Sequence, residues 1–277
     1  MSANVLSFAH EDAGDNSFHS QGISRAVESK VPQVAIAFWI IKIAATTLGE
    51  TGGDALSMTL NLGYLLSTVI FMACFIAVLW VQLRAMKFHR FLYWAVIVAT
   101  TTVGTTMADF ADRSLGVGYV GGSIILFTLL MIVLAVWRLA AGSISFSDIR
   151  TRKVEIFYWV TILCSNTLGT ALGDFLADTQ GVGYERGALV FAGLLTLVAA
   201  IYFFTDVSHA FLFWTAFILT RPLGATLGDI LTKPTDHGGL NLGRITSSLA
   251  IAIFMVLCIL LLPQRAGEHP GHGRRSK

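Results

Sequence analysis

Five carboxylates stand in stretches that are otherwise apolar: Glu50, Asp54, Asp109, Asp174 and Asp229. Each aspartate closes a short motif, TTLGETGGD (46–54), TTVGTTMAD (101–109), NTLGTALGD (166–174) and RPLGATLGD (221–229). Stepping back from each aspartate by four residues stays on one helical face. It collects Thr46/Glu50/Asp54, Thr101/Thr105/Asp109, Asn166/Thr170/Asp174 and Arg221/Ala225/Asp229. Small pairs flank this stripe (Gly49/Gly53, Gly104/Ala108, Gly169/Gly173, Gly224/Gly228), the spacing that lets membrane helices approach closely. Each motif therefore predicts a packing face beside an oxygen-rich face.

Carboxylates, hydroxyls and an amide form an oxygen-only ligand set. The four windows contain no His or Cys, and their one sulfur is Met107. Such a set suits hard cations, Mg²⁺, Ca²⁺, Mn²⁺, alkali ions or protons, and disfavours copper and zinc. Several acids around one site favour a divalent ion, which offsets their mutual repulsion and links cation binding to proton release. The candidate metal ligands are Asp54, Asp109, Asp174, Asp229 and Glu50, and Thr46, Thr101, Thr105, Asn166 and Thr170 complete the cation or proton pathway. Lys42 and Arg221 are the basic residues inside the apolar runs and read as charge-balancing or gating groups. On that count they neutralise two of five acids and leave three negative charges. Asp112 and Asp178 lie in the loops beyond the motifs and read as local caps.

The elements that must carry these motifs are legible from repeats. A tryptophan lies fifteen residues before each aspartate (Trp39, Trp94, Trp159, Trp214), preceded by Phe38, Tyr93, Tyr158 or Phe213. A glycine follows the first three aspartates at nine residues (Gly63, Gly118, Gly183), and a tyrosine follows it. In the fourth copy five inserted residues delay the glycine to Gly243, and Arg244 replaces the tyrosine. The chain is four copies of one unit. It resembles a bacterial membrane-protein family of four tandem two-span repeats of unknown function, each with a characteristic tryptophan. The resemblance covers roughly residues 30–263 and implies an eight-helix integral membrane protein, without implying an activity.

Composition agrees. The 277 residues are 55% hydrophobic and 13% charged, with mean hydropathy +0.69, against about 25% charged in soluble domains. The expected fold is all-α, with eight transmembrane helices and parallel pseudo-symmetry. A membrane domain spans 31–263, with repeats at 33–83, 88–141, 153–205 and 208–263. A polar tail (1–30) precedes it and a basic tail (264–277) follows. Thirteen of the 19 Lys and Arg fall on the side of the termini. Four (Arg113, Arg186, Lys233, Arg244) fall on the other, which predicts cytoplasmic termini in a bacterial inner membrane. The tryptophans read as an interfacial belt, Tyr64, Tyr119 and Tyr184 as outer anchors, and Cys74, Cys164 and Cys258 as buried small hydrophobes.

The net charge of +2 gives no electrostatic case for nucleic acid. No nucleotide motif or catalytic set appears, so an enzyme is not expected, nor a cofactor beyond a bound divalent ion. The expected partners are the lipid bilayer, the transported cation and protons, with the oligomer left open. The expected function is secondary active transport of a hard cation such as Mn²⁺ or Mg²⁺, exchanged for protons. The alternatives are a cation channel, or a transporter of a small organic or anionic substrate clamped by Arg221 and Lys42. Differences between copies favour a transporter, because alternating access moves one pair of repeats against another.

Overall fold

The computed structural model describes residues 30–142, 144, 149, 151–179, 183–235 and 238–266. The expectations for the two tails fall almost wholly outside them. Eight α-helices form among the described residues: α1 (Ile36–Asp54), α2 (Gly63–Arg84), α3 (Arg90–Asp109), α4 (Gly118–Ala141), α5 (Arg152–Asp174), α6 (Tyr184–Phe204), α7 (His209–Thr232) and α8 (Arg244–Leu261). The fold is all-α. Seven of the helices are long and apolar enough to cross a membrane. The exception, α1, carries Lys42, Glu50 and Asp54 within nineteen residues. The protein is a multi-pass membrane protein.

The odd helices α1, α3, α5 and α7 form a closed inner ring in chain order. Each even helix packs on the odd helix of the next repeat: α2 on α3, α4 on α5, α6 on α7, and α8 back on α1. Among the described residues each odd helix is covered chiefly by the even helix of the preceding repeat. The even helices expose Leu, Ile, Val and Phe around the outside, as a surface facing hydrocarbon must.

The small residues set how closely the ring closes. A Cβ on Gly49 would meet the Thr101 backbone carbon at 3.0 Å, and one on Gly224 would meet that of Thr46 at 3.0 Å. Gly104 stands in the same relation to Asn166 and Thr167, and Gly169 to the Arg221 side chain. Each glycine thus receives the residue eight positions before the next repeat's aspartate. The polar stripe of one helix lies in the small-residue groove of its neighbour, which joins the two faces read from sequence.

Beyond the aspartates of the first three repeats the helix loosens into one π-helical turn: Ala55–Thr59, Phe110–Ser114 and Phe175–Thr179. Such turns often mark functional positions in helices. The recurring glycines follow, with φ of 72° at Gly63, 71° at Gly118 and 79° at Gly183, a conformation that disfavours any Cβ. The fourth repeat departs: α7 stays α-helical through Pro222 to Thr232, and Gly243 has φ −61°. Positive φ falls instead at Gly238 and at Asn241, which precedes Gly243 by two residues as Asn61 and Gly116 precede Gly63 and Gly118. The two ends of the described chain meet at one end of the bundle, where Gln33 N–H donates to the Arg265 carbonyl at 2.8 Å.

Candidate functional site

Counting back by fours from the aspartates runs through five layers of the inner ring, and all twenty side chains are buried. From the chain-terminal end the layers are Phe38/Tyr93/Tyr158/Phe213, then Lys42/Ile97/Ile162/Phe217, then Thr46/Thr101/Asn166/Arg221, then Glu50/Thr105/Thr170/Ala225, then the four aspartates. The column runs from aromatic through apolar and hydroxyl-bearing to acidic.

The aromatic layer is a closed circuit. Ring centroids lie 5.5 Å apart for Phe38–Trp94, 5.7 Å for Tyr93–Trp159, 6.1 Å for Tyr158–Trp214 and 5.9 Å for Phe213–Trp39. Each repeat thus touches the tryptophan of the next. The Tyr93 and Tyr158 hydroxyls share a hydrogen bond of 2.8 Å. This corrects the belt expected from sequence. Trp94, Trp159 and Trp214 are buried and Trp39 is half-buried, because they fill the seam between adjacent odd helices. Of the cysteines, Cys164 is buried, but Cys74 is exposed on the outer face of α2.

Arg221 is the hub of the third and fourth layers and is fully buried. Its Nη2 donates to Glu50 Oε2 at 3.0 Å, to Thr170 Oγ1 at 2.7 Å and to Thr105 Oγ1, and its Nη1 donates to the Thr46 carbonyl at 3.3 Å. One guanidinium from α7 therefore holds α1, α3 and α5. Its planar fork of donors suits it to several acceptors at once. Two other hydroxyls lie at the seams: Thr46 Oγ1 is 3.3 Å from the Thr220 carbonyl oxygen and Thr101 Oγ1 3.2 Å from that of Ala45, while each has a shorter acceptor on its own helix, Ile43 and Val98, at 2.8 Å. Asn166 contacts Lys42 instead, its Oδ1 accepting from Lys42 Nζ at 3.3 Å.

The aspartates turn inward and each has a basic partner. Arg113 bridges Asp109 at 3.1 Å and Asp174 at 3.3 Å. Lys233 bridges Asp229 at 3.2 Å and Asp54 at 3.5 Å, and Arg244 adds a contact to Asp54 at 3.4 Å. Burial works against the Lys233 ammonium, but Asp229 and Asp54 outweigh it and hold its pKa well above the ordinary lysine value. The expected surplus of three negative charges is thereby corrected. Arg113, Lys233 and Arg244, with Arg221 and Lys42, set five bases against the five acids. A buried carboxylate that stays ionised is costly without a counter-charge.

These three bases escaped the sequence reading, which placed them in outer loops. The spacing held a signal: Arg113 and Lys233 each lie four residues past an aspartate, one helical turn on, and Arg244 occupies the tyrosine column. Two tyrosines of that column also serve the ion bridges: the Tyr64 and Tyr119 hydroxyls accept from Arg113 at 3.3 and 3.0 Å, and the third, Tyr184, is buried. Asp112 caps nothing: it is buried against Gly122, with no hydrogen bond to either carboxylate oxygen among the described residues. The Asp178 side chain lies outside those residues.

Of the candidate ligands, Glu50, Asp54 and Asp229 each bring a carboxylate oxygen within 4.8 Å of the others. Three oxygens at that separation can reach one hard cation at the 2.0–2.6 Å bonds typical of Mg²⁺ and Ca²⁺. Asp109 and Asp174 form a separate pair about Arg113 and do not join this group. The donor set therefore fits a hard divalent ion at one side of the acidic layer, where Lys233 and Arg244 now supply the positive charge.

No curated protein and no solved structure matches the chain. The Repeat of Unknown Function (DUF347) matches four times in tandem, at residues 37–88, 92–143, 157–208 and 212–265, each match covering one pair of helices. The chain belongs to the family built on that repeat.

Proposed function

We propose that the protein is a secondary active transporter that moves a hard divalent cation, such as Mn²⁺ or Mg²⁺, in exchange for protons. In this reading all eight helices cross a bacterial inner membrane, α1 included, because its charged face is enclosed by the other members of the ring. The ends of the described residues, joined at Gln33 and Arg265, then lie on the cytoplasmic side, in accord with the bias of Lys and Arg.

The observation that carries the reading is the triad Glu50, Asp54 and Asp229, whose present partners are Arg221, Lys233 and Arg244. Side-chain cations hold the place of a cargo cation. An arriving divalent ion competes for the carboxylates; the released guanidinium groups of Arg221 and Arg244 must swing away, and Lys233 must swing away or lose a proton. Either response changes the ring contacts that Arg221 makes to α1, α3 and α5. Binding is thereby coupled to rearrangement, as alternating access requires. The aromatic layer closes the column at the terminal end, and the ion bridges close it at the other. A column sealed at both ends favours an occluded carrier over a channel.

The test is flux in proteoliposomes. Mn²⁺ and Mg²⁺ are supplied outside with and without an imposed pH gradient, for wild type and for Asp54→Asn and Asp229→Asn. The reading expects uptake that follows the proton gradient and falls at least tenfold in both variants. Flux indifferent to the proton gradient, or indifference to every cation, would refute it.

A further inference from the structure

The chain-terminal end of the column holds one buried acid among the described residues, Glu155 in the first turn of α5, one turn beyond Tyr158 and Trp159. A carboxylate in a first turn is ordinary where it meets water. This one is 2% exposed, and its Oε1 has no hydrogen-bond partner among the described residues. Its base comes from no helix. Lys30 lies in the segment that leads into α1. Its Nζ donates to Glu155 Oε2 at 2.8 Å and to the carbonyl of Leu83, at the end of α2, at 3.4 Å. Because α2 packs on α3, this one side chain straddles the seam between α3 and α5. The next residue, Val31, is buried in the apolar cluster that contains the aromatic layer.

The other chain end makes the converse crossing. Beyond α8, Gln264 Oε1 accepts from Trp94 Nε1 at 2.7 Å, and in the last turn of α8 the Ile259 carbonyl accepts from Arg90 Nη1 at 3.0 Å. Trp94 and Arg90 belong to α3. The segment that opens the first repeat is therefore tied to the third, and the segment that closes the fourth is tied to the second. The two segments also hold each other, through the Gln33–Arg265 hydrogen bond and an antiparallel bridge of Pro32 with Ala266. Each half of the duplicated chain thus reaches across to the other, at the end of the column opposite the aspartates. Lys30 stands at the water's edge, with 17% of its side chain exposed. Once it leaves, Glu155 must meet water, because a buried carboxylate that stays ionised is costly alone. Loss of the ion pair and departure of the strap are one event.

We propose that the crossed chain ends are the gate at this end of the column, with Lys30–Glu155 as its latch. While the latch is made, the two halves are held together over the aromatic layer. When it parts, residues 30–33 and 264–266 lift away and Glu155 is hydrated. The α3–α5 seam, closed there by the Tyr93–Tyr158 hydrogen bond, is then free to open. The bridges of Arg113, Lys233 and Arg244 close the other end. A carrier needs a closure at each end that opens in turn, and the strap supplies the second. The proposal rests on the carrier reading above and adds the element that moves on the chain-terminal side.

Thiol accessibility and flux test it together. Phe213→Cys, in the aromatic layer, is placed in a chain whose native cysteines Cys74, Cys164 and Cys258 are replaced by alanine, and a water-soluble maleimide labels it in detergent. Lys30→Gln breaks the latch outside any helix and is expected to raise the labelling rate about tenfold. Glu155→Gln keeps a neutral acceptor for Lys30 and should raise it less. Pro32→Cys with Ala266→Cys locks the bridge, since paired antiparallel Cα atoms lie about 4.5–5.5 Å apart, within disulfide range. Formed before labelling, the disulfide should protect Phe213→Cys. In proteoliposomes, with Phe213 intact, it should stop Mn²⁺ flux until reduced and leave Mn²⁺ binding unchanged. A single labelling rate for the intact, broken and locked latch overturns the gate, whatever the flux. Equal flux through the locked and reduced chains also overturns it and leaves the carrier reading standing. Absence of Mn²⁺ binding and flux in wild type overturns the carrier reading, and the labelling rates still decide whether the chain ends close the column.

Discussion

The acidic end of the column is built twice, and the two builds differ. Asp109 and Asp174 share Arg113, while Asp229 and Asp54 share Lys233. In both, the base sits one helical turn past the aspartate of an even-numbered repeat and reaches the aspartate of the next. This is the pseudo-two-fold relation expected of a duplicated pair of repeats. Only the second build has a third carboxylate, Glu50, within reach, an additional base in Arg244, and a loop lengthened by five residues. The first build is a closed ion bridge. The second has more oxygens than a bridge needs, and a more exchangeable base, since a lysine ammonium is a compact point charge where Arg113 is a fork held by two tyrosines. Duplication supplied the scaffold, and divergence of one half supplied the candidate site.

The largest effect that would sharpen this contrast comes from Glu50. Glu50→Ala strands the fully buried Arg221 without its carboxylate. Stability should fall by ~3–5 kcal/mol in denaturant unfolding in mixed micelles. A loss under ~1 kcal/mol would mean that the threonines alone satisfy the guanidinium. Next, Arg113→Met should cost more than Lys233→Met by the same assay. Asp109 and Asp174 lose a shared base, whereas Asp54 retains Arg244. The first cost is expected at ~2–3 kcal/mol, below the fully buried case because Arg113 is partly exposed. Equal costs would erase the distinction between the two builds.

Smaller effects address the seams that hold both builds in register. Gly49→Ala drives a Cβ toward the Thr101 backbone and should cost about 2 kcal/mol, whereas Gly173→Ala meets Ala225 Cβ at an ordinary 3.4 Å and should cost little. Thermal unfolding of the two variants side by side would reveal the order, and its reversal would contradict the packing described. Smallest is Tyr93→Phe, which removes the hydroxyl bond to Tyr158 far from either build. It should cost ~1 kcal/mol and leave cation affinity unchanged, as read from the same unfolding curves and a Mn²⁺ titration.

Much of this plan was legible in the chain. The step of four from each aspartate collected the inward stripe, and the small pairs marked the grooves that receive it. The same step, continued two turns further, lands on Lys42 and then on Phe38, Tyr93, Tyr158 and Phe213. Aromatic residues at the end of an apolar run also describe an interfacial belt, and composition alone does not separate a belt from a plug. The ion bridges are hidden for a related reason: Arg113 and Lys233 read as loop bases that set orientation, although their spacing from Asp109 and Asp229 is that of helical neighbours. The pairing of each even helix with the following repeat left no sequence mark. It depends on the turn after each left-handed glycine, and that geometry is a property of three dimensions.

The central claim is that a hard cation binds between Glu50, Asp54 and Asp229 and not at the Arg113 bridge. Mn²⁺ titration of the purified chain, read by the loss of the free-ion electron paramagnetic resonance signal, tests it most directly. The account predicts one bound Mn²⁺ per chain. Affinity should fall at least tenfold in Asp54→Asn and in Asp229→Asn, while Asp109→Asn and Asp174→Asn stay within about threefold of wild type. Binding that is absent, or that weakens equally in all four variants, would contradict it.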